Sequence, residues 1–291
     1  MAAFSTATSL AELVPEITMG VDFIFMNEGI GRMLATYKDV SGQPGVTVEF
    51  PIYTEVVAST TVGETAEPSS HEMDIAMATL TIAKRSVYVG LGDLAKKGMS
   101  DSPETIGQAM GMSMVKAIDN RIFGVITTTN YATSAGSTNA AMNITYVLNA
   151  LNVLEKNEVS APLHIVLHPH QYNAIRAALT PVAATTDTTT IKIGNVISDE
   201  LMSRGMASNM FGLNWFVTSR ISSRTVNATA NCYSGLVFNP RGLGYAFSWL
   251  YQNGVEMIRG TEAVSKLLLN WADSAGVIYS SGVCTLYSTS S

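Results

Sequence analysis

The spacing of apolar side chains changes along this chain, and each change marks an element. Leu13, Ile17, Val21, Ile24 and Phe25 recur at helical spacing behind the polar segment Ser5–Ser9, while the rest of 1–45 has no strong period. From residue 46 the period becomes two. Val46, Val48, Phe50 and Ile52 alternate with Thr47, Glu49 and Pro51, which predicts a strand with an edge signal at its proline. Residues 58–72, with Gly63, Pro68 and small polar side chains, read as a loop. Alternation returns over 73–91, clearest at Ile75, Met77, Val87 and Val89, and its phase shifts near Leu80–Ile82, where a bulge is expected. Together 46–91 predict a long two-stranded ribbon with a polar tip. Twelve residues of strand reach about 40 Å at roughly 3.3 Å each. An isolated hairpin is marginally stable in water, so the ribbon is expected to lie on another subunit.

Asp101-Ser102-Pro103-Glu104 is a helix start. Either Asp101 caps with Glu104 closing a capping box, or Ser102 caps with Pro103 at the first helical position. Ile106, Met110, Met114, Ile118 and Ile122 follow every four residues, with Val115 and Val125 beside them. The pattern predicts one amphipathic helix over 102–126, close to 36 Å long at about 1.5 Å per residue. Small polar residues, Thr127–Ala140, then stop it. Helices and strands alternate from 143 to 250. Ile144–Lys156 is a helix with Val147, Leu148, Leu151 and Leu154 on one face, Leu163–Leu167 a buried strand, and His170–Leu179 a helix. Thr180–Thr190 reads as a loop and Gly194–Arg204 as a short helix. Asn214–Thr218, Ser234–Phe238 and Tyr245–Trp249 read as strands. The tail, 251–291, is mainly strand around Val255–Ile258, Val277–Tyr279 and Val283–Tyr287, divided by turns at Asn253-Gly254, Ala275-Gly276 and Ser281-Gly282.

Composition narrows the function. Among 291 residues 47% are hydrophobic and 14% charged, against roughly 25% charged in an average soluble domain. Such a chain buries a generous core or hides surface against other chains. No run of about 18 uncharged apolar residues occurs, so no transmembrane helix is expected. The N-terminus has neither a basic nor an apolar leader region, so no signal peptide is expected and the chain should be made in a cytoplasm. Cys232 and Cys284 form no CxxC pair and are expected to be buried free thiols. The net charge of −6 argues against a protein that grips DNA with a basic stripe.

Candidate chemistry is sparse. His164, His168 and His170 are close enough in sequence to meet one metal ion. They fall in a strand, before Pro169 and at a helix start, so a turn capped by His168 or His170 is the expected reading. Gly90-Leu91-Gly92 and Gly242-Leu243-Gly244 do not extend to a dinucleotide fingerprint or a P-loop, and no GxSxG elbow is present. No catalytic, cofactor-binding or metal residue is therefore expected. Met110, Met112 and Met114 form a stripe expected to serve core or intersubunit packing. Glu64, Glu67, Glu72 and Asp74 make the ribbon tip acidic, and are expected to pair with basic residues such as Arg241 or Arg259 on a neighbour.

The order of arm, long hairpin, long helix, α/β unit and closing strands resembles the tailed-bacteriophage major capsid protein family of the HK97 fold over nearly the whole chain. VTVEFPIY entering the hairpin, the Asp101–Glu104 cap followed by AIDNRIFGVI (117–126), IVLHPHQYNAIRAAL (165–179) and VFNPRGLGYA (237–246) carry the resemblance. It implies an α+β subunit with an N-terminal arm (1–45), an extended loop (46–91), a peripheral domain (92–139 and 251–291) whose spine is the helix 102–126, and an axial α/β domain (140–250). It also implies pentamers and hexamers closing an icosahedral shell around double-stranded DNA, assembled in a bacterial host. The implied partners are a separate scaffolding protein, a portal and decoration proteins, with no membrane and no sequence-specific DNA contact. Residues 46–83 contain no lysine and Lys84 lies on the returning strand, so the family's covalent lysine–asparagine cross-link is not expected. The alternatives are an encapsulin-like nanocompartment shell, which shares the fold, and an α/β enzyme with an unrecognised site. A tail or decoration protein fits less well, lacking a long helix after a long hairpin.

Overall fold

In the computed structural model, the residues described are 8–43, 45–53, 75–92, 103–125, 133–179, 209–221, 223–226, 229–249, 255–259 and 264–289. The ribbon tip, the caps at Asp101 and Ser102, the loop Thr180–Thr190 and the helix expected at Gly194–Arg204 lie outside them.

Two helices pack side by side as one layer. The periodic patch near the N-terminus is part of a longer helix, α1 (Thr8–Asn27), followed by α2 (Ile30–Leu34). The long amphipathic helix is α3 (Pro103–Gly124). Ile17, Val21, Ile24 and Phe25 of α1 meet Met110, Met114, Val115, Ile118 and Ile122 of α3 in one buried core. Glycines bring the two backbones together. A Cβ at Gly20 would lie 2.6 Å from the Glu104 carbonyl oxygen, and one at Gly107 would fall on the backbone of Ile17. The N-terminal segment is thus held by its own chain from Ile17 onward.

That layer covers one face of a five-stranded sheet. Its long strand runs from Val264 to Val277. It pairs on one edge with Ala83–Gly92 and on the other with Leu243–Trp249 and Val255–Arg259, which lie end to end. In chain order the strands are β1 (Thr36–Asp39), β2 (Thr47–Tyr53), β3 (Ile75–Thr81), β4 (Ala83–Gly92), β5 (Thr133–Gly136), β6 (Leu163–Leu167), β7 (Asn209–Met210), β8 (Leu213–Val217), β9 (Arg224–Val226), β10 (Thr229–Phe238), β11 (Leu243–Trp249), β12 (Val255–Arg259), β13 (Val264–Val277) and β14 (Val283–Thr289). β1 adds to β11 in parallel. Leu267, Leu269 and Trp271 of β13 and Tyr245 and Phe247 of β11 face the helices.

A seven-stranded sheet, β5-β14-β10-β6-β8-β7 with β9 on the start of β10, forms the second layer. Its strands alternate between two cores, as period two requires. Ile165, Leu167, Val237, Cys284 and Leu286 pack beneath α4 (Ile144–Lys156) and α5 (Pro169–Leu179), whereas Val166, Leu236, Phe238 and Val283 join the core of α1 and α3. On α4 the buried stripe is Val147, Ala150 and Leu154, and Leu148, expected to share it, is 40% exposed.

Three other expectations are corrected. The returning half of the ribbon does not stay paired with its own hairpin: β3 pairs with β2, but beyond Ile82 the chain becomes β4 and pairs with β13. The stop after α3 contains a strand, β5, parallel to β14. The last part of the tail is not a strand at Val277–Tyr279, because β13 ends at Val277 and a short 3-10 turn, Ser280–Gly282, leads into β14. Strand pairing also crosses the expected boundary at residue 250 in both directions, with β11 in the sheet of β13 and β14 in the sheet of β10.

Both cysteines are fully buried thiols, and neither is in a disulfide. Burial pushes the Cys284 thiol up to about 12, and the thiolate is the reactive form. Neither thiol is expected to react with an aromatic disulfide reagent at pH 8 in the native chain, and both should react once guanidinium unfolds it. Rapid labelling of the native chain would contradict this packing.

Candidate assembly surface

The ribbon β2–β3 has a rooted end and an uncovered end. On its inner face Val48, Phe50 and Leu80 are buried with Val40, Ala246 and Ala272. These side chains lie on the face of the five-stranded sheet opposite α1 and α3, where β11 and β13 present the small residues Gly244, Ala246, Ala272 and Gly276 to the ribbon. Leu80 rests on Gly244 and Gly276, and a Cβ at Gly276 would overlap its side chain. The root is closed by the Ile82 N–H donating to the Val46 carbonyl at 2.8 Å and by the Lys38 ammonium donating to the Glu49 carbonyl at 3.2 Å. The outer face of the far end is apolar: Pro51 pairs with Met77 and Tyr53 with Ile75, and Tyr53, Ile75 and Met77 are 62%, 46% and 54% exposed. Gly276→Val is expected to unseat the ribbon while leaving the helices and the second sheet folded. The check is circular dichroism beside electron microscopy, with near-wild-type helix content and loss of ordered particles as the expected pair.

A buried carboxylate lies beneath this root. Asp273 of β13 accepts from the Arg85 Nε–H at 2.8 Å and lies 3.7 Å from Arg121 of α3. Burial pushes its carboxyl up, and the two guanidiniums oppose the shift. It ties the start of β4, where the ribbon returns, to α3.

A second buried carboxylate joins three segments. Asp119 of α3 is fully buried. It accepts from the Gly31 N–H at 2.8 Å and from Arg220, which lies beyond β8 and also donates to the Glu28 carbonyl at 2.9 Å. Burial pushes the Asp119 carboxyl up, and Arg220 and the Gly31 N–H act against it. A third hub is Gln171, fully buried, whose amide donates to the Tyr233 and Leu286 carbonyls and the Ser288 hydroxyl. These hubs escaped the sequence reading. The available signal was a charge at Asp119 on the apolar arc of Val115, Ile118 and Ile122.

The histidines do not converge. His164 lies edge-on to Phe216 and Phe238 and bonds to Asn214 at 3.3 Å. His168 stacks on Tyr233 with centroids 3.8 Å apart, and its Nδ1 accepts from the His170 N–H at 3.2 Å. The Gln171 side chain accepts from the His168 N–H, so His168 caps α5 in a capping-box arrangement with Gln171 at the third position. Among the described residues no group of three metal-ligating side chains forms. Met110 and Met114 belong to the core, and Met112 is 46% exposed.

Of the residues expected to mediate subunit contact, Glu64, Glu67, Glu72 and Asp74 lie outside the described residues. Arg241 is exposed in the 3-10 turn Pro240–Gly242, and its N–H donates to the Asn239 side chain at 2.9 Å. Arg259 is the last residue of β12 and pairs with Ser265.

A family model described as phage capsid protein matches residues 104–281. The fold is similar to that of Mycobacterium phage Che8, with TM-score 0.64 and 14% identity, covering 89% of this chain and 91% of that one. It is similar to the capsid structure of the cyanophage P-SCSP1u, with TM-score 0.63 and 16% identity over 89% and 87% of the two chains. It is also similar to the virus-like particle from Pyrococcus furiosus, with TM-score 0.54 and 12% identity over 95% and 98%. No curated protein sequence matches the chain.

Proposed function

Because the chain belongs to the phage capsid protein family, with the HK97-type fold, we infer that it is the major shell subunit of a tailed-phage head, a structural protein rather than a catalyst. The observation that carries this reading is the ribbon β2–β3, rooted on its own sheet and apolar on the outer face of its far end. A monomer leaves that area in water. A ring or shell of copies covers it, because a head-to-tail contact repeated around an axis closes on itself. In this reading 1–45 is the N-terminal arm and 46–91 the extended loop, whose second strand is anchored in the body. Residues 92–139 and 251–291 form the peripheral domain and 140–250 the axial domain, with β11 and β14 exchanged between their sheets. Pentamers and hexamers close an icosahedral shell over double-stranded DNA in the host bacterium's cytoplasm, with scaffolding, portal and decoration proteins as further partners.

The acidic tip, Glu64, Glu67, Glu72 and Asp74, pairs with Arg241 and Arg259 of a neighbour in the same reading. Exposed pairs contribute about 0.2–1 kcal/mol each, so Arg241→Glu is expected to raise the concentration needed for assembly several-fold and to reduce its salt dependence. Light scattering against salt measures both, and an unchanged threshold removes Arg241 from the contact. The test of the function itself is negative-stain electron microscopy with sedimentation of the purified chain. Closed shells, hexamers or pentamers support it, and a monodisperse monomer or dimer at high concentration with crowding agents overturns it. A nanocompartment shell is the second, less supported reading; the similarity to the Pyrococcus furiosus virus-like particle is one of fold alone. Co-purified DNA or protein inside the particles separates the two.

A further inference from the structure

One face of α1 is turned away from the body. Met19, Phe23 and Met26 stand at i, i+4 and i+7, so they form one stripe, and they are 68%, 58% and 65% exposed. The opposite stripe is the one buried on α3. Met33 of α2, 75% exposed, follows at the end of the helix, next to Arg32, whose guanidinium reaches back to the Met26 sulfur at 3.7 Å. Scattered exposed apolar side chains are ordinary, but a contiguous patch bordered by charge marks an interaction surface.

Along α1 itself the border is acidic, and Arg32 closes its C-terminal end against the Met26 sulfur and over the Phe25 ring. The twenty residues of α1 include Glu12, Glu16 and Asp22 and no lysine or arginine. At 100° per residue, Glu16 borders the stripe on one side and Asp22 on the other, and both are exposed. Among the described residues no lysine or arginine forms an ion pair with either. Burial pushes the Asp22 carboxyl up with no cation opposing the shift.

This combination selects its occupant. DNA is repelled by such a border. The ribbon of a second copy brings Glu49 and the acidic tip, again the wrong sign. An occupant must present apolar side chains flanked by positive charge. A helix does so in the right shape, since its ridges fit beside the i, i+4 ridge of α1, and methionines adapt to the seam. We propose that the outer face of α1 docks a basic amphipathic helix of a second protein, seated on Met19, Phe23 and Met26 with its lysines or arginines beside Glu16 and Asp22. This goes beyond the shell reading, because the surface is one for a different chain.

The probe is a labelled synthetic helix with leucine along one face and lysine on the other, titrated into the full chain by fluorescence anisotropy, with a matched leucine–glutamate peptide as control. Saturable binding is expected to weaken about tenfold in Phe23→Ser and about tenfold in Asp22→Lys, with the control peptide unbound. Met26→Ser repeats the measurement if Phe23→Ser lowers helix content. Equal affinity for wild type and all variants overturns the proposal, as does equal binding of the control peptide or displacement of the probe by duplex DNA. Disulfide-linked dimers of a Met19→Cys chain in assembled particles overturn it too, since a second copy would then cover the stripe. Particle formation is scored on the same samples. Wild-type particles without peptide binding sink the docking surface alone, and peptide binding without particles counts against the shell reading alone.

Discussion

One methyl group added at Gly107 is expected to release α1 from α3. A Cβ there would fall on the backbone of Ile17, with the Ile17 carbonyl carbon at 2.9 Å and its Cα at 3.0 Å. A side chain can rotate away from such a clash, but a helix backbone can only retreat as a unit. Retreat opens the seam that buries Ile17, Val21, Ile24 and Phe25. Overpacking costs about 1–3 kcal/mol where side chains adjust, and a backbone contact is expected at or beyond the upper end. Gly124→Ala is the control, because a Cβ there meets nothing within 4 Å and alanine is favoured over glycine in a helix by up to about 1 kcal/mol. Phe25 lies against Phe247 and edge-on to Trp249, with centroids 5.0 and 5.6 Å apart, so tryptophan emission reports the seam. Gly107→Ala should unfold at a distinctly lower guanidinium concentration with red-shifted native emission. An unchanged midpoint and spectrum would show that α1 is not held as described.

The elements that announced themselves in the sequence are those with one wet face. α3 and α4 alternate apolar and polar arcs, and their observed bounds, Pro103–Gly124 and Ile144–Lys156, follow that pattern. β13 is covered on both faces, by the helices and by the ribbon root. Its LLLNWADSAG therefore has no alternation, and its buried Asn270 and Asp273 look like surface residues until Arg85 and Arg121 are placed beside the aspartate. The departure of β4 from the ribbon was equally hidden. The phase shift at Leu80–Ile82 marks the break, but the partner strand lies far along the chain: Arg85 pairs with Trp271. The exposed apolar side chains of α1 and of the ribbon left a trace in composition, in the low charged fraction. Their positions on α1 and on the ribbon required knowing which face each element buries.

Arg220→Ala is expected to destabilise the chain by about 3–5 kcal/mol near neutral pH, the range seen when one partner of a buried ion pair is removed. Asp119 is fully buried, and Arg220, 17% exposed, is its guanidinium partner. Without it the carboxylate retains the Gly31 N–H, while the Glu28 carbonyl loses its donor. The sign of the pH dependence separates this account from lost packing. Burial already holds the Asp119 carboxyl above its ordinary value, and deleting the cation moves it higher. A group raised in the folded state stabilises when protonated, so its contribution is lost as pH rises through the folded value and regained as pH falls toward 3.8, the ordinary value. The deficit of Arg220→Ala should therefore shrink in acid, and Asp119→Asn added to it should recover part of the loss at neutral pH. Denaturation curves at neutral and mildly acidic pH test both. A deficit independent of pH and untouched by Asp119→Asn would mean that Arg220 acts through its aliphatic stem, and that the elbow between α1 and α2 is held to the second sheet by packing rather than by charge.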